Sequence, residues 1–348
     1  MKRKESNYMG YRYIGSKARI ADEIIKYIGE SKGEGYFIDA FSGTGIVAEK
    51  AAEYGWKIKI NDMMKNAVIM SEARLLSKDD VQFIEKGGYS ETVNYLNGLK
   101  GVEGYFWREY SPASKEIVGV ERKYYSEDNA KKIDAIAITI REWLASIEIT
   151  NSEFTLLMAS LISAVNDVAN IAGTYGCFLS KWTSQSENKL ELKTMKLRNQ
   201  KVKYESSNTD VYEVKSKPED IVYLDPPYTK RQYASYYHIL ESLVCGDEPI
   251  VEGVSGLRPW KEKASVFCYK RKALKALSKL MIQQKAKRVI LSYSNEGHIQ
   301  LDDLIKEIEP FGSVKIIELS TIGRYTPNKT AVENNLEVKE YLIDYRRK

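Results

Sequence analysis

Cysteine and histidine are nearly missing from this chain of 348 residues. The three cysteines, Cys177, Cys245 and Cys268, are widely spaced and form no CxxC pair. That excludes a disulfide framework and reads as reduced thiols. The two histidines, His238 and His298, are too few for the usual zinc sites, so no metal is expected. Long apolar runs are also lacking. The longest, Leu156 to Val165, is about half of the roughly 20 residues that a membrane span requires, and no membrane partner is expected. The opening Met1-Lys2-Arg3-Lys4-Glu5 leads into no apolar segment of the kind a secretory leader carries. The chain therefore reads as soluble and cytoplasmic. Internal repeats and low-complexity segments are absent.

What is present supports a folded protein. Hydrophobic residues make up 43% of the chain, enough for a real core. The net charge of +5 permits a polyanionic partner without demanding one. Its distribution is more telling. From Leu257 to Arg288 there are eleven Lys or Arg against one acid, Glu262. From Lys181 to Lys203 there are seven against Glu187 and Glu191. Solvated helix faces would explain either run alone; the two together favour a polyanion. Tyrosine is abundant at 25 residues, several of them adjacent, such as Tyr124 with Tyr125 and Tyr233 with Tyr236 and Tyr237. Tyrosine fills cores, and it also stacks on bases.

Three regions differ in character. Residues 1–66 alternate short apolar runs with helical ones. Ile20, Ile24, Ile25 and Ile28 mark a helix face. Tyr36 to Ile38 reads as a buried strand, Ile46 to Ala52 as a helix and Trp56 to Ile60 as a second strand. Strand, glycine turn, helix and strand make one βαβ unit of a parallel sheet. Residues 67–200 read as mostly helical, with Asn129 to Ile147 and Glu153 to Ile171 as long helices. Ile133, Ile136, Ile140 and Trp143 recur there at helical spacing. Residues 201–348 return to strand–helix alternation. Ile221 to Leu224, Val289 to Leu291, Val314 to Leu319 and Val338 to Ile343 are the strands. Leu274 to Met281 and Leu301 to Ile308 are the helices.

The run Asp39-Ala40-Phe41-Ser42-Gly43-Thr44-Gly45-Ile46-Val47-Ala48 follows a strand and opens a helix. It fits G-x-G-x-x-A. Gly43 and Gly45 let the backbone turn tightly and approach a ligand closely. Asp62 ends the next strand, nineteen residues after Gly43, where an acid accepts hydrogen bonds from ribose hydroxyls. The motif alone does not separate a nicotinamide dinucleotide from S-adenosylmethionine, and a ligand-free turn would carry the same glycines. Asp39 favours S-adenosylmethionine. A carboxylate is a poor neighbour for a pyrophosphate and a good one for an ammonium and a sulfonium.

Asp225-Pro226-Pro227-Tyr228 ends another apolar strand. The prolines fix the backbone and remove two N–H donors, so the turn offers acceptors. A carboxylate and a carbonyl held there accept both hydrogens of an amino group. The 6-amino nitrogen of adenine is a poor nucleophile because its lone pair is delocalised. Holding both N–H bonds with acceptors frees that lone pair for attack on a sulfonium methyl. Asp225 then stabilises the positive charge that develops on nitrogen. Tyr228 offers a flat face for a base that has left the helix.

These motifs, in this order, resemble the Dam-like (alpha-group) adenine-specific DNA methyltransferases of bacterial restriction–modification systems. Tyr13-Ile14-Gly15-Ser16-Lys17 resembles that family's N-terminal cofactor motif. Phe41-Ser42-Gly43-Thr44-Gly45 resembles its glycine loop, and Asn61-Asp62 its ribose-contacting acid. Asn208-Thr209-Asp210 sits where the family often carries an acid near the cofactor's adenine, although an Asx turn explains Asp210 almost as well. The run Asp225 to Glu241 and Ser292 to Gly297 also fit, as do Tyr124-Tyr125-Ser126, Asn129-Ala130 and Gly173-Thr174-Tyr175. The resemblance covers nearly the whole chain. It implies a Rossmann-like α/β fold with a mixed, mostly parallel sheet and a helical target-recognition insertion. It further implies S-adenosylmethionine as methyl donor, double-stranded DNA as substrate, 6-methyladenine as product, and a cognate restriction endonuclease acting on the same site.

Lys17 reads as a contact in the cofactor or substrate pocket. Arg231, Gln232 and Tyr233 follow the DPPY turn on a loop that, as a DNA-binding element, would close over the flipped base or contact phosphate; a solvated loop would carry the same residues. Arg258, Lys261, Ser265, Lys270 and Arg271 are candidate DNA-phosphate contacts. Lys181 and Trp182 suit the core or the DNA face equally. Three alternatives stay open at the level of sequence. They are an RNA adenine methyltransferase, a nicotinamide-dependent oxidoreductase that leaves Asp225 to Tyr228 idle, and a non-catalytic DNA-binding module on the same fold.

Overall fold

Alternation of apolar residues with a period of two builds a twisted sheet from short stretches far apart in the chain. The computed structural model describes residues 13–319 and 339–348. The segment Met1 to Glu5 and Val338, both read above, lie outside them. Among the described residues the strands are β1 (Tyr36–Asp39), β2 (Lys57–Asn61), β3 (Tyr204–Ser207), β4 (Ile221–Leu224), β5 (Arg288–Ser294), β6 (Gly312–Glu318) and β7 (Glu340–Arg347). They form one seven-stranded sheet in the order β3-β2-β1-β4-β5-β7-β6. The pairs among β1 to β5 are parallel, and β7 runs antiparallel to both β5 and β6. This is the mixed, mostly parallel α/β sheet expected from the sequence.

The chain divides into two compact units. Of the described residues, one comprises 15–63, 202–233, 264–319 and 339–348 and carries the sheet; the other comprises 13–14, 64–201 and 234–263. In the sheet unit, Ile38, Val222, Leu224, Val289 and Leu291 face one way. They pack against Ala273, Leu277 and Leu280 of the helix Lys270–Gln283 and Leu304 and Ile308 of the helix Leu301–Ile308. On the opposite side of β1, Phe37 lies against Trp56 and Tyr223. The amphipathic helices Ala21–Ile28 and Ile46–Glu53 pack on each other, and Ile24 and Ile25 are fully buried.

The second unit is mainly helical. Its longest helices are Glu127–Ala145 and Asn151–Asp167. Ser126 caps the first by accepting from the amide of Asn129, and Glu127 and Asp128 place negative charge in its first turn. Thr150 and Glu153 form a capping box at the start of the second. The predicted run to Ile171 stops at Asp167. Asn170 turns its amide toward the carbonyl of Tyr124 instead of donating four residues back, and its side chain donates to the carbonyls of Lys123 and Leu179. No helix follows until the sheet unit resumes, so the stretch 168–201 is irregular where the sequence read as helical. The edge strand β3 carries no apolar run, and periodicity did not mark it.

Candidate active site

In the sheet unit the chain moves from β1 outward to β2 and β3, then returns to β4 on the other side of β1. The crevice beyond the carboxyl ends of β1 and β4 is therefore the topological switch point, where open α/β sheets bind ligands. Both sequence motifs arrive there. Asp39 closes β1 opposite Tyr223 of β4, and the amide of Ala40 donates to the Tyr223 carbonyl. Asp225 follows the last residue of β4.

The glycine loop takes the form its composition requires. Gly43 and Gly45 have φ of 50° and 75°, left-handed values that favour glycine. The amide of Gly45 donates to the Ser42 carbonyl and that of Ser42 to the Asn61 carbonyl. Asp62 accepts from the amide of Gly43 at 3.0 Å, so this acid also braces the loop. Asn61 lies behind it, donating to the carbonyls of Ala40 and Thr209. The Phe41 ring meets Phe267 edge-on, and Tyr212 stacks on Phe267 from a second direction. Thr44 is buried.

Among the described residues, Oδ1 of Asp39 and Oγ of Ser42 are buried at this loop without a hydrogen-bond partner. Burial, with Asp225 and Asp62 nearby, holds the Asp39 carboxyl well above the usual range. A buried acceptor so placed fits a cationic, donor-bearing ligand and not a pyrophosphate.

The Lys17 ammonium lies 3.2 Å from Oδ1 of Asp225 and 3.2 Å from Oε2 of Glu340. Burial pulls the Lys17 ammonium down, yet Asp225, the Tyr228 hydroxyl and Glu340 together hold it well above its ordinary value. The Asp225 carboxyl is pushed up to about 6, chiefly by burial, with Glu340 adding to the rise and Lys17 opposing it. Lys17 also sits 5.3 Å from the centre of the Tyr228 ring, and the Tyr228 hydroxyl donates to Oε1 of Glu340 at 3.3 Å. The Tyr293 ring meets Tyr228 edge-on, and the amide of His298 donates to the Tyr228 carbonyl at 2.9 Å. Gly297 is needed in that turn, because a Cβ would lie 2.3 Å from the Tyr293 hydroxyl. The Ser292 to Gly297 motif thus buttresses the DPPY turn.

A family model for the D12 class of N6 adenine-specific DNA methyltransferases matches residues 13–306. The chain belongs to that family. It is 33% identical over 345 residues to the modification methylase StsI of Streptococcus sanguinis, covering 97% of this chain and 52% of that one. It is 35% identical over 305 residues to the type II methyltransferase M.FokI of Planomicrobium okeanokoites, covering 85% and 46%. It is 31% identical over 333 residues to the type II methyltransferase M.NlaIII of Neisseria lactamica, covering 93% and 95%. The chain thus spans about half the length of the first two relatives and nearly all of the third. Membership of the D12 class removes the oxidoreductase alternative.

The remaining candidate residues of this D12-class chain scatter. Tyr13 belongs to the helical unit, where it stacks on Tyr237 with centroids 4.7 Å apart. Gly15 and Ser16 are exposed at the turn before Lys17. Tyr233 places its hydroxyl 3.0 Å from where a Cβ on Gly15 would lie. Asp210 is exposed and accepts from the amide of Tyr212, the Asx-type cap that was its alternative explanation. Gln232 and Ser265 hold each other: the Gln232 amide donates to the Ser265 carbonyl at 3.1 Å and accepts from its N–H at 2.8 Å. Arg231 is exposed. The basic stretch is divided: Arg258 and Lys261 lie in the helical unit, Lys270 and Arg271 at the start of a helix of the sheet unit. Arg258 makes a two-point ion pair with Asp247 at 3.2 and 2.7 Å. Lys261, Lys270 and Arg271 are exposed, as is Lys181, and Trp182 is half-buried. Glu340 escaped the sequence reading; its only mark was an acid just before the apolar run Tyr341 to Ile343.

Among the described residues there is no cluster of metal-ligating side chains, and no helix is long and apolar enough to cross a membrane.

Proposed function

We propose that this chain transfers a methyl group from S-adenosylmethionine to the 6-amino group of an adenine flipped out of duplex DNA. In this reading it is the modification enzyme of a restriction–modification system, with the Dam-like (alpha-group) order of motifs. The observation that carries the proposal is the placement of two carboxylates, the buried Asp39 and the partly buried Asp225, at the ends of adjacent parallel strands. One has an oxygen without a partner, and the other meets an ammonium group.

S-adenosylmethionine, when bound, supplies an electrophilic methyl group. Asp39, Phe41 to Gly45 and Asp62 hold it, with Gly15 to Lys17 flanking the pocket and Asp210 as an outlying contact. Asp39 and Ser42 have the free acceptor capacity its cationic and donor groups need. Asp225 accepts one amino hydrogen of the base and balances the charge that grows on nitrogen. The Pro226–Pro227 turn presents carbonyl acceptors without competing donors. Tyr228, braced by Tyr293, is the stacking face. Residues 67–200 of the helical unit serve target recognition, and the irregular stretch after Asp167 supplies exposed lysines for backbone contacts. Arg231, Lys261, Lys270 and Arg271 are further phosphate contacts. A cognate endonuclease is the natural companion, because three relatives carry the names of modification or type II methylases.

The test is incorporation of labelled methyl groups from S-adenosylmethionine into duplex DNA, with the product base identified and its positions sequenced. 6-Methyladenine at one recurring sequence is expected. Label on cytosine, or preference for structured RNA in competition, would overturn the reading.

A further inference from the structure

Glu340 is buried, lies outside every motif read from the sequence, and contacts two residues of the DPPY pocket. We infer that Glu340 is a positioning residue for methyl transfer: it gives the Lys17 ammonium a second seat, so that Asp225 can be vacated for the amino group of the target base. The inference rests on the adenine reading above.

The geometry gives the reason. The Asp225 oxygen that must accept an amino hydrogen is already occupied by Lys17 at 3.2 Å. An ammonium left there would also repel the positive charge that develops on the attacking nitrogen. Losing a carboxylate partner altogether would strand a buried cation, which is strongly unfavourable. Glu340 removes that obstacle, because Lys17 is equally close to it before any movement. The parts differ in stiffness in the way this needs. Glu340 is fixed on β7, paired with Ser294 of β5, and its carbonyl accepts from Leu319. Lys17 extends a flexible four-carbon stem from a turn. The second oxygen of Glu340 accepts from the Tyr228 hydroxyl, so the same carboxylate steadies the stacking face while Lys17 shifts.

The experiment compares single-turnover methylation of plasmid DNA by the full chain, Glu340→Gln, Glu340→Asp and the double variant Lys17→Met/Glu340→Gln. Cofactor affinity, DNA KM and thermal melting are measured for each. Glu340→Gln is expected to slow the single-turnover rate about tenfold, with cofactor affinity and DNA KM changed by less than about twofold, the fall in kcat alone that marks an interaction specific to the transition state. Glu340→Asp recovers most of the rate. The double variant is faster than Glu340→Gln, because the ammonium that competes for Asp225 is gone; a merely structural role does not give that sign. A Glu340→Gln rate equal to wild type, or a double variant slower than the single, overturns the inference while leaving the adenine reading intact. A wild-type chain that methylates no adenine overturns both.

Discussion

Buried charge is handled differently in the two units. Three buried ions of the helical unit, Arg122, Asp134 and Glu241, are answered by donors or counter-ions. The Arg122 guanidinium meets Glu109 at 2.8 Å and donates to the carbonyls of Glu109, Gly253 and Val254. Asp134 accepts from the amides of Phe106 and Trp107, capping a short helix. Glu241 takes the amides of Lys65 and Asn66 and the Lys263 ammonium. At the strand ends of the sheet unit, Lys17 faces two carboxylates, and Asp39 keeps an oxygen with no partner among the described residues. Satisfied charges hold a shape; an excess of acceptors waits for a ligand that brings donors and positive charge.

Substitutions on each side should break this contrast differently. Asp225→Ala should lower methyl transfer about a hundred- to a thousandfold, the range seen when a preorganised charge is removed. Cofactor binding should largely survive, as equilibrium titration would check. Arg122→Ala should leave Glu109 with only the more exposed Arg108 as its cation and strip donors from the carbonyls of Gly253 and Val254, costing about 3 kcal/mol in chemical unfolding, with little change in transfer per folded molecule. Asp39→Asn should weaken S-adenosylmethionine about tenfold in calorimetry, the scale of one hydrogen bond to a charged group.

Two carboxyls make the sharpest pair, since burial pushes both Asp225 and Asp134 up to about 6. Only ionised Asp225 balances the positive charge that grows on the attacking nitrogen, so kcat/KM should fall about tenfold per pH unit below that value. Asp134 should touch stability alone. Its folded pKa lies above its unfolded value near 4, so its contribution to unfolding free energy falls as pH rises through that window. Asp134→Asn should flatten that slope and leave the rate profile unchanged. The smallest effect is expected at Arg258, already engaged by Asp247. Arg258→Ala should barely move the salt dependence of DNA binding, whereas Arg271→Ala should lower its slope by about one.

Most of the sheet was legible because its strands are short apolar runs bounded by turn residues. β3 was not, because an exposed edge strand needs no apolar residues. The end of the helix at Asp167 was hidden as well, since Asn170 breaks the pattern through partners far away in sequence. Asp39, the glycine loop and Asp225 to Tyr228 were legible because tight turns restrict residue type locally. Glu340 and the doubled role of Lys17 were not, because neither depends on a neighbour in sequence. The basic candidates show the same limit: composition marked Arg258 and Lys261 alike, and only the Asp247 pair separates them.

The sequence by itself determined the reaction chemistry of the proposal. A DPPY turn and a glycine loop flanked by acids are chains of adjacent residues whose backbone conformations follow from proline and glycine. Only the tertiary structure decided that these turns sit side by side, since β1 and β4 pair across more than half the chain. It also decided which charge Asp225 faces before a base arrives. Lys17 and Glu340 are 323 positions apart, and their meeting depends on the register of β7 against β5. Local sequence specifies turns; long-range pairing specifies which turns share a site.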